Sequence, residues 1–384
     1  MNPVRQRRGC TGRAVNTAWM GLTGFMLLLG CSKSNPTGPG TSTGPAVGWH
    51  DAGLVLSSAD QGAGGVQWLS VVGNRIIAST ASGKVFLGRQ GSTQWDSVPF
   101  PGGDSVYSQT AFDSSVYFGT RSTGQVWQLT FPAKTWTNLQ TGINAGFATA
   151  AVANWNQNLV AFFGNLSQSD SAAYVRKFAG TPGAWTDLSS GWPRPDWSSG
   201  STIGVGTVLF SCTYQTGLWR RSASDTAWNR VPDPIYRELF ANDSVGLVPM
   251  DKPRCLAWYH GNLWMGNLYF GQIFHMTGID TPWVGVGPDS AATGKSQFPI
   301  SFGAMTMFVW NDRLFAGGTM PSTPVVLKEG AGWQYLSKNW GQSDDGKSVV
   351  CSVDYTFSFA AINDTLYAAG CGRVFKLPWS LVPQ

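Results

Sequence analysis

The chain has 384 residues, 42% of them hydrophobic and only 12% charged, with a formal net charge of +5. Forty-eight glycines and nineteen tryptophans stand against two glutamates, Glu238 and Glu329. That balance excludes a helix-rich protein, whose solvent faces need Glu and Lys in number. The positive excess is concentrated before residue 14, so it does not argue for nucleic-acid binding by the rest of the chain.

Residues 1–30 read as an export signal. Arg5, Arg7, Arg8 and Arg13 form a basic region without an acidic residue, and Ala18–Gly30 is an apolar run too short for a stable membrane span. The run ends in Leu28-Leu29-Gly30-Cys31, which resembles the lipobox of bacterial lipoproteins. The resemblance implies that Cys31 receives a diacylglyceryl group, that the signal is cut before it, and that the new N-terminus is acylated. Each acyl CH₂ buried in a bilayer contributes about 0.8 kcal/mol, so such a modification would anchor the chain firmly. Ser32, where inner-membrane retention would want Asp, implies the outer membrane of a bacterial cell envelope. An ordinary secretory signal with an incidental cysteine is the alternative. Residues 31–45, rich in Gly, Pro, Ser and Thr, form a flexible linker after the lipidated cysteine.

From residue 46 to 384 one phrase recurs seven times. Its first half is a Gly/Asn/Asp turn followed by an apolar strand ending in small residues. The copies are Val72–Thr80, Phe112–Thr120, Asn156–Asn165, Gly204–Thr213, Tyr259–Asn267, Trp310–Gly318 and Ile362–Gly370. Alternation of large and smaller residues predicts a hairpin and a half-buried strand. The second half begins at Gly83, Gly124, Tyr174, Gly217, Gly271, Val325 and Gly372. A tryptophan then opens a last strand at Trp95, Trp136, Trp185, Trp228, Trp283 and Trp333, and a strand of small or β-branched residues such as Thr149–Ala153 precedes each turn. Four strands per unit at this period predict an all-β, seven-bladed β-propeller with four-stranded blades. The tryptophan strand is missing after the seventh copy. Val47-Gly48-Trp49-His50 is expected to supply it, closing the last blade with the N-terminal strand, in preference to Trp379. The blade style across 46–384 resembles that of sialidase-type and kelch-like propellers, without a complete family signature. The tryptophans are read as core.

Departures from the repeat mark the functional face. Connections from one blade's last strand to the next blade's first strand grow along the chain, to Ser189–Gly200, Val231–Pro253, Gly285–Gly303 and Leu336–Val350. They carry Trp192, Arg194, Asp196, Trp197, Asp233, Tyr236, Arg237, Glu238, Arg254 and Trp340 as ligand-binding candidates. This mixture of aromatic, guanidinium and carboxylate suits a polar ligand such as a glycan or peptide.

Sharper motifs do not hold. Gly341–Ser348 (GQSDDGKS) satisfies the P-loop expression, but the residues that follow read as strand, and Asp344 and Asp345 would repel phosphate. Ser58–Gly62 resembles the Asp-box of sialidase-type propellers, yet its aromatic partner, Trp68, is too distant and it precedes a first strand. His50, His260 and His275 show no metal-ligand spacing, so neither a metal nor a cofactor is expected. Cys351–Cys371 within the last blade and Cys212–Cys255 between neighbouring blades are the candidate disulfides, buried thiols being the alternative.

The resulting expectation is a monomeric, membrane-tethered lipoprotein that binds a ligand, a glycan or an envelope protein as a binding or scaffold module. A sialidase-like, glycan-active hydrolase or lyase using carboxylates such as Asp196 and Asp233 is the alternative.

Overall fold

The computed structural model describes residues 48–165, 173–193, 198–213, 216–231, 253–267, 273–278, 281, 283–285, 303–319, 324–328, 332–336, 340, 356–370 and 372–383. Seven four-stranded antiparallel sheets follow one another around an axis, each first strand packing against the first strands of its two neighbours. The strand nearest the axis comes first in each blade.

Strand β1 (His50–Asp51) stands apart at the start of the chain. Blade 1 is β2 (Val66–Val72), β3 (Arg75–Thr80), β4 (Val85–Arg89) and β5 (Trp95–Val98). Blade 2 is β6 (Val106–Phe112), β7 (Ser115–Thr120), β8 (Val126–Thr130) and β9 (Thr135–Asn138). Blade 3 is β10 (Phe147–Trp155), β11 (Asn158–Asn165), β12 (Ala173–Phe178) and β13 (Trp185–Asp187). Blade 4 is β14 (Ser198–Val205), β15 (Val208–Thr213), β16 (Gly217–Ser222) and β17 (Asn229–Arg230). Blade 5 is β18 (Pro253–Tyr259), β19 (Asn262–Asn267), β20 (Ile273–Met276) and β21 (Val284–Gly285). Blade 6 is β22 (Gly303–Trp310), β23 (Arg313–Thr319), β24 (Val325–Lys328) and β25 (Gly332–Tyr335). Blade 7 is β26 (Thr356–Ile362), β27 (Thr365–Gly370), β28 (Arg373–Pro378) and, from the other end of the domain, β1.

The closing strand sits where the missing tryptophan strand was expected, one residue later. His50 pairs with Lys376 and Asp51 with Phe375, while Ala52 N donates to Val374 O at 2.9 Å. Trp49 lies just outside this ladder and is 1% exposed. It fills a cluster with Phe315, Phe375 and Leu377, its ring edge-on to Trp340 at 5.1 Å. Trp379, the competing candidate, falls in a 3-10 turn (Trp379–Leu381) against Trp310.

A two-residue turn joins the first and second strands in all seven blades. Asn156-Gln157 and Asn311-Asp312 have positive φ at both residues, the geometry that matches strand twist in a tight hairpin. The second strands differ from expectation in one respect. They are buried on both faces rather than one, as β7 shows throughout its length. Each blade is sandwiched between two others, so the alternation in these strands is between large and small, not between apolar and polar.

The small residues at the ends of second strands have a steric cause. A Cβ at Gly266 would stand 2.5 Å from Ala304 Cβ and 2.7 Å from Cys255 Sγ, and one at Gly317 would stand 2.5 Å from Thr356 Cβ. At Gly119 it would meet Ser108 Oγ at 2.3 Å and Thr149 at 2.7 Å. In each case the first strand of the next blade occupies the space.

The last-strand tryptophans do more than fill wedges. Trp95 Nε1 donates to Ala52 O at 3.0 Å, Trp185 Nε1 to Leu139 O at 3.0 Å, and Trp228 Nε1 to Leu188 O at 2.8 Å. Each acceptor is the residue that follows the outer strand of the preceding blade, so one indole fastens each of these pairs of blades. Trp136 Nε1, at the equivalent place in blade 2, is buried without an acceptor.

The stretch resembling an Asp-box forms a short helix, α1 (Ser58–Gly62), between blades 7 and 1. Asp60 accepts from Lys84 Nζ at 2.6 Å, Ser82 Oγ at 2.9 Å and the Ser57 hydroxyl. Burial pushes its carboxyl up, but these donors and the Lys84 charge more than offset that and hold it below the ordinary range. Asp60 is therefore a structural pin. No helix among the described residues is long and apolar enough to cross a membrane.

Candidate functional site

The topology sorts the loops onto two ends of the ring. The two-residue turns leave one end, and the connections between blades leave the other. Residues 99–105 and 139–146 make the first two connections, whereas 231–252, 286–302 and 336–355 make later ones. The inequality read from the sequence is thus present in the strand boundaries. Arg194, Asp196, Trp197, Asp233, Tyr236, Arg237 and Glu238 lie outside the described residues.

Two described candidates are corrected. Trp192 is 4% exposed and packs on Phe162 at 5.2 Å and Trp228 at 4.8 Å. Trp340 is buried between Trp49 and Phe375. Both indoles pack into the wedge between blades, which offers a large apolar surface more contact than solvent does. Neither ring is exposed to solvent.

Arg254 stands in a different setting, one that the repeat itself creates. In β18 the pairing skips a residue: Pro253 opposes Asn267 and Cys255 opposes Gly266, leaving Arg254 as a bulge. The same skip falls at Gln67 in blade 1, Tyr107 in blade 2, Ala150 in blade 3, Met305 in blade 6 and Phe357 in blade 7. Blade 4 is irregular across the same stretch, between Ser198 and Thr202. A bulge frees one residue from the ladder and re-aims it. All these bulges lie near the start of the innermost strand, at the long-loop end, so they form a ring at the mouth of the axial channel. Except for Ala150 the bulged residues are half-exposed, although buried residues precede them.

Burial pushes the Tyr107 phenol above its ordinary range, and the charges of Arg254 and Arg121 pull it partly back. Tyr107 belongs to blade 2 and Arg254 to blade 5, whose first strands are not neighbours. Arg121 reaches the same end from the turn after β7. Its N–H donates to Ser105 O at 2.9 Å, and Asp104 braces the turn by accepting from Ser122 N at 2.8 Å and Thr123 N at 3.0 Å. Although burial raises the Asp104 carboxyl, the Ser122, Ser105 and Thr123 donors bring it below the usual range.

Behind the ring, the residue after the bulge ties adjacent blades together in blades 2 and 5. Ser108 Oγ donates to Thr149 O at 2.7 Å, and Cys255 Sγ makes the equivalent bond to Ala304 O at 3.5 Å. This corrects the expected Cys212–Cys255 disulfide, since both remain buried thiols. Side chains alternate along β18, so Leu256 faces Cys212 in the cluster between blades 4 and 5, while Cys255 faces blade 6. Burial pushes the Cys255 thiol up to about 12. Cys351 and Cys371 lie outside the described residues.

The histidines are scattered. His50 is in β1, His260 bonds Asp312 at 2.7 Å on the short-turn end, and His275 stacks on Trp264 at 4.9 Å. An open cleft of ≈ 530 Å³ between blades 2 and 3, lined in part by Phe112, Tyr117, Phe178 and Lys177, lies toward that same end.

Tyr107, Arg121, Gln67, Met305 and Phe357 escaped the sequence reading. The first residues of the innermost strands, VQW, VYS, TAA, PRC, AMT and TFS, would have disclosed them when aligned: the position before the variable middle residue is consistently small, β-branched or proline. Chemically, the half-buried bulged residues are a guanidinium (Arg254), a phenol (Tyr107), an amide (Gln67) and the apolar Met305 and Phe357, with Ala150 buried. Among the described residues of the ring there is no carboxylate or histidine.

These features define the class: a seven-bladed β-propeller closed by its N-terminal strand. No family model matches the chain, and no curated protein matches it. Solved structures share its fold at low identity. Virginiamycin B lyase from Staphylococcus aureus is 11% identical with a TM-score of 0.63, covering 86% of this chain and 98% of that one. The extracellular domain of a candidate one-component system from B. thetaiotaomicron is 13% identical with a TM-score of 0.56, covering 81% of this chain; this chain spans only 38% of that one. YCF48 bound to D1 peptide is 11% identical with a TM-score of 0.57, covering 88% and 99%. At such identities the likeness speaks for the fold.

Proposed function

We propose that this chain is a binding module of the bacterial envelope, tethered by lipid at Cys31 through the linker that follows. It receives a protein segment at the long-loop end, centred on the axial mouth. The observation that carries this reading is the repeated bulge, which frees one residue from the ladder in blades 1, 2, 3, 5, 6 and 7 at the end where the connections lengthen. The neighbours lend support of a general kind, since one was solved as an extracellular domain and another with a peptide bound.

Photo-crosslinking in cells producing the full chain tests the proposal. p-Benzoylphenylalanine at Met305 or Phe357 is expected to give a discrete adduct, and at Asp113 or Asn363, on the short-turn end, none. Adducts only from the short-turn positions, or none from any, would refute it. The tether is tested separately: Cys31→Ala should release the chain from the membrane fraction and abolish palmitate labelling.

A further inference from the structure

We propose that the cleft between blades 2 and 3 binds a neutral sugar ring, a pyranose whose hydroxyls meet a polar row on blade 2 and whose C–H face lies against an apolar row on blade 3. The cleft has a volume of ≈ 530 Å³. Sites that take one small molecule run from about 300 to about 1,000 Å³, mostly apolar with a few placed polar groups.

Strand register builds the polar wall. Tyr117 in β7 opposes Gln128 in β8, which opposes Thr137 in β9, so the three stand in one row on the face that blade 2 turns to blade 3. Gln128 Nε2 donates to Ser115 Oγ at 2.8 Å and to the Tyr117 hydroxyl at 3.3 Å. Both amide hydrogens are thereby used inside the blade, which fixes the side chain and leaves its carbonyl oxygen as an acceptor. The Thr137 hydroxyl makes no hydrogen bond among the described residues. Burial raises the Tyr117 phenol more than its bond with Ser115 lowers it, so the row is uncharged at neutral pH.

The facing wall is apolar. Leu159 is buried, and half-buried Phe178, packed on Trp185 at 5.2 Å, continues the surface outward. Phe112 adds a second ring from the end of β6. Polarised C–H groups on one face of a pyranose meet the negative face of such rings. Gly183 N and Trp185 Nε1 both donate to Leu139 O, at 2.9 Å and 3.0 Å, so the two blades are fastened together before a ligand arrives.

Charge and hydrogen-bond direction decide the ligand class. No carboxylate lines the cleft among the described residues. Lys177 borders it from the other face of β12, the one that Val175 turns to blade 4, and Arg176 is held on Thr141 O at 2.6 Å. Asp113, exposed on the adjoining turn, places its charge near Tyr117 and opposes an anion there. Side chains opposite each other on neighbouring strands stand about 4.5–5.5 Å apart, so Gln128 and Thr137 can engage two hydroxyls of one ring. A sugar hydroxyl donates and accepts at once, and so serves the Gln128 carbonyl, the Thr137 hydroxyl and the rim amides of Gln157 and Asn158 alike. A peptide group points its N–H and C=O to opposite sides, and between these walls one of them would face hydrocarbon unpaired.

The test uses the full chain in lipid nanodiscs with p-fluorophenylalanine in place of Phe112. Its ¹⁹F resonance is followed while the methyl pyranosides of glucose, galactose, mannose and N-acetylglucosamine are added. At least one is expected to shift it saturably with a Kd of about 10 mM or tighter, while the same label in place of Phe359, in blade 7, stays still. Gln128→Leu, Thr137→Val and Phe178→Leu should each weaken that sugar about threefold to tenfold, the worth of one net hydrogen bond or one aromatic contact. Thr135→Val, elsewhere on β9, should leave affinity unchanged, and a urea midpoint for each variant checks its fold. No response to any of the four sugars would overturn the inference. So would a tighter response to methyl glucuronide or to N-acetylalanine methylamide, or wild-type affinity in both Gln128→Leu and Phe178→Leu. The outcome is independent of the axial mouth, because a sugar in this cleft leaves no protein adduct at Asp113.

Discussion

Trp49→Ala is the most demanding test of ring closure. Strand β1 contributes two paired residues, with the Ala52–Val374 hydrogen bond and the partly exposed Asp51–Arg373 bridge beside them. Net backbone hydrogen bonds are worth about 0.5–1.5 kcal/mol each and an ion pair of that exposure about 1 kcal/mol or less. Trp49 is 1% exposed and packs on Trp340, Phe375 and Leu377; removing so large a buried ring costs about 3–5 kcal/mol. The side chain beside the strand thus outweighs any single bond within it. Urea denaturation of the full chain, followed by far-ultraviolet circular dichroism, is the assay. With an m value of about 3 kcal/mol/M, the midpoint should fall by about 1 M or more. Trp379→Ala is the matched control. Its ring is part-exposed and meets Trp310 at 4.8 Å, a pair worth about 0.5–1.5 kcal/mol beyond its area. A Trp49→Ala shift no larger than that of Trp379→Ala would refute the reasoning, and with it the idea that the N-terminus holds blade 7.

Three further outcomes are expected. Cys255→Ser should fold with a loss of about 1 kcal/mol or less, because a hydroxyl already makes the equivalent bond at Ser108; Cys255→Ala should cost more, by urea midpoint. The Cys255 thiol is raised from 9.0 to about 12, so its contribution is complete below pH 9 and is lost as pH climbs toward 12, at about 1.4 kcal/mol per unit; Cys255→Ser should flatten that alkaline limb. Gly317→Ala should destabilise by about 1–3 kcal/mol, since Thr356 Cβ and Cγ2 occupy the methyl's place; a thermal midpoint unchanged from wild type would show that blade 7 can give way. Asp104→Asn bears on acid stability. The Asp104 carboxyl is held below the ordinary aspartate range by its donors, so its contribution is present above about pH 4 and disappears as pH falls through the lower folded value. The variant should therefore lose less stability than wild type between pH 5 and pH 2 in parallel melts.

Much of the architecture was readable because the repeat is written in residue types with steric consequences. Glycine at 119, 266 and 317, tryptophan at the head of the outer strands, and two-residue turns each solve the same local problem in several blades, so seven imperfect copies reinforce one another. The unmatched seventh tryptophan strand pointed to Trp49 by the same logic. The mouth was harder to see. A bulge is a property of pairing between two strands, and nothing in Val106–Ser108 alone says that Tyr107 is the residue skipped. Trp192 and Trp340 misled because a loop tryptophan beside polar residues looks like a ligand contact, whereas the wedge below it competes for the same ring. Cys212 and Cys255 were placed correctly at one end of neighbouring strands, but strand alternation, which depends on register, put their side chains on opposite faces of blade 5.

The bulges also separate two jobs that most protein positions must share. Because a skipped residue stands outside the ladder register and, Ala150 apart, is only half-buried, exchanging it need not change which residues of the two strands pair. The mouth can then be respelled one letter at a time while the frame stays fixed, so a new preference could arise here without first passing through a weakened fold.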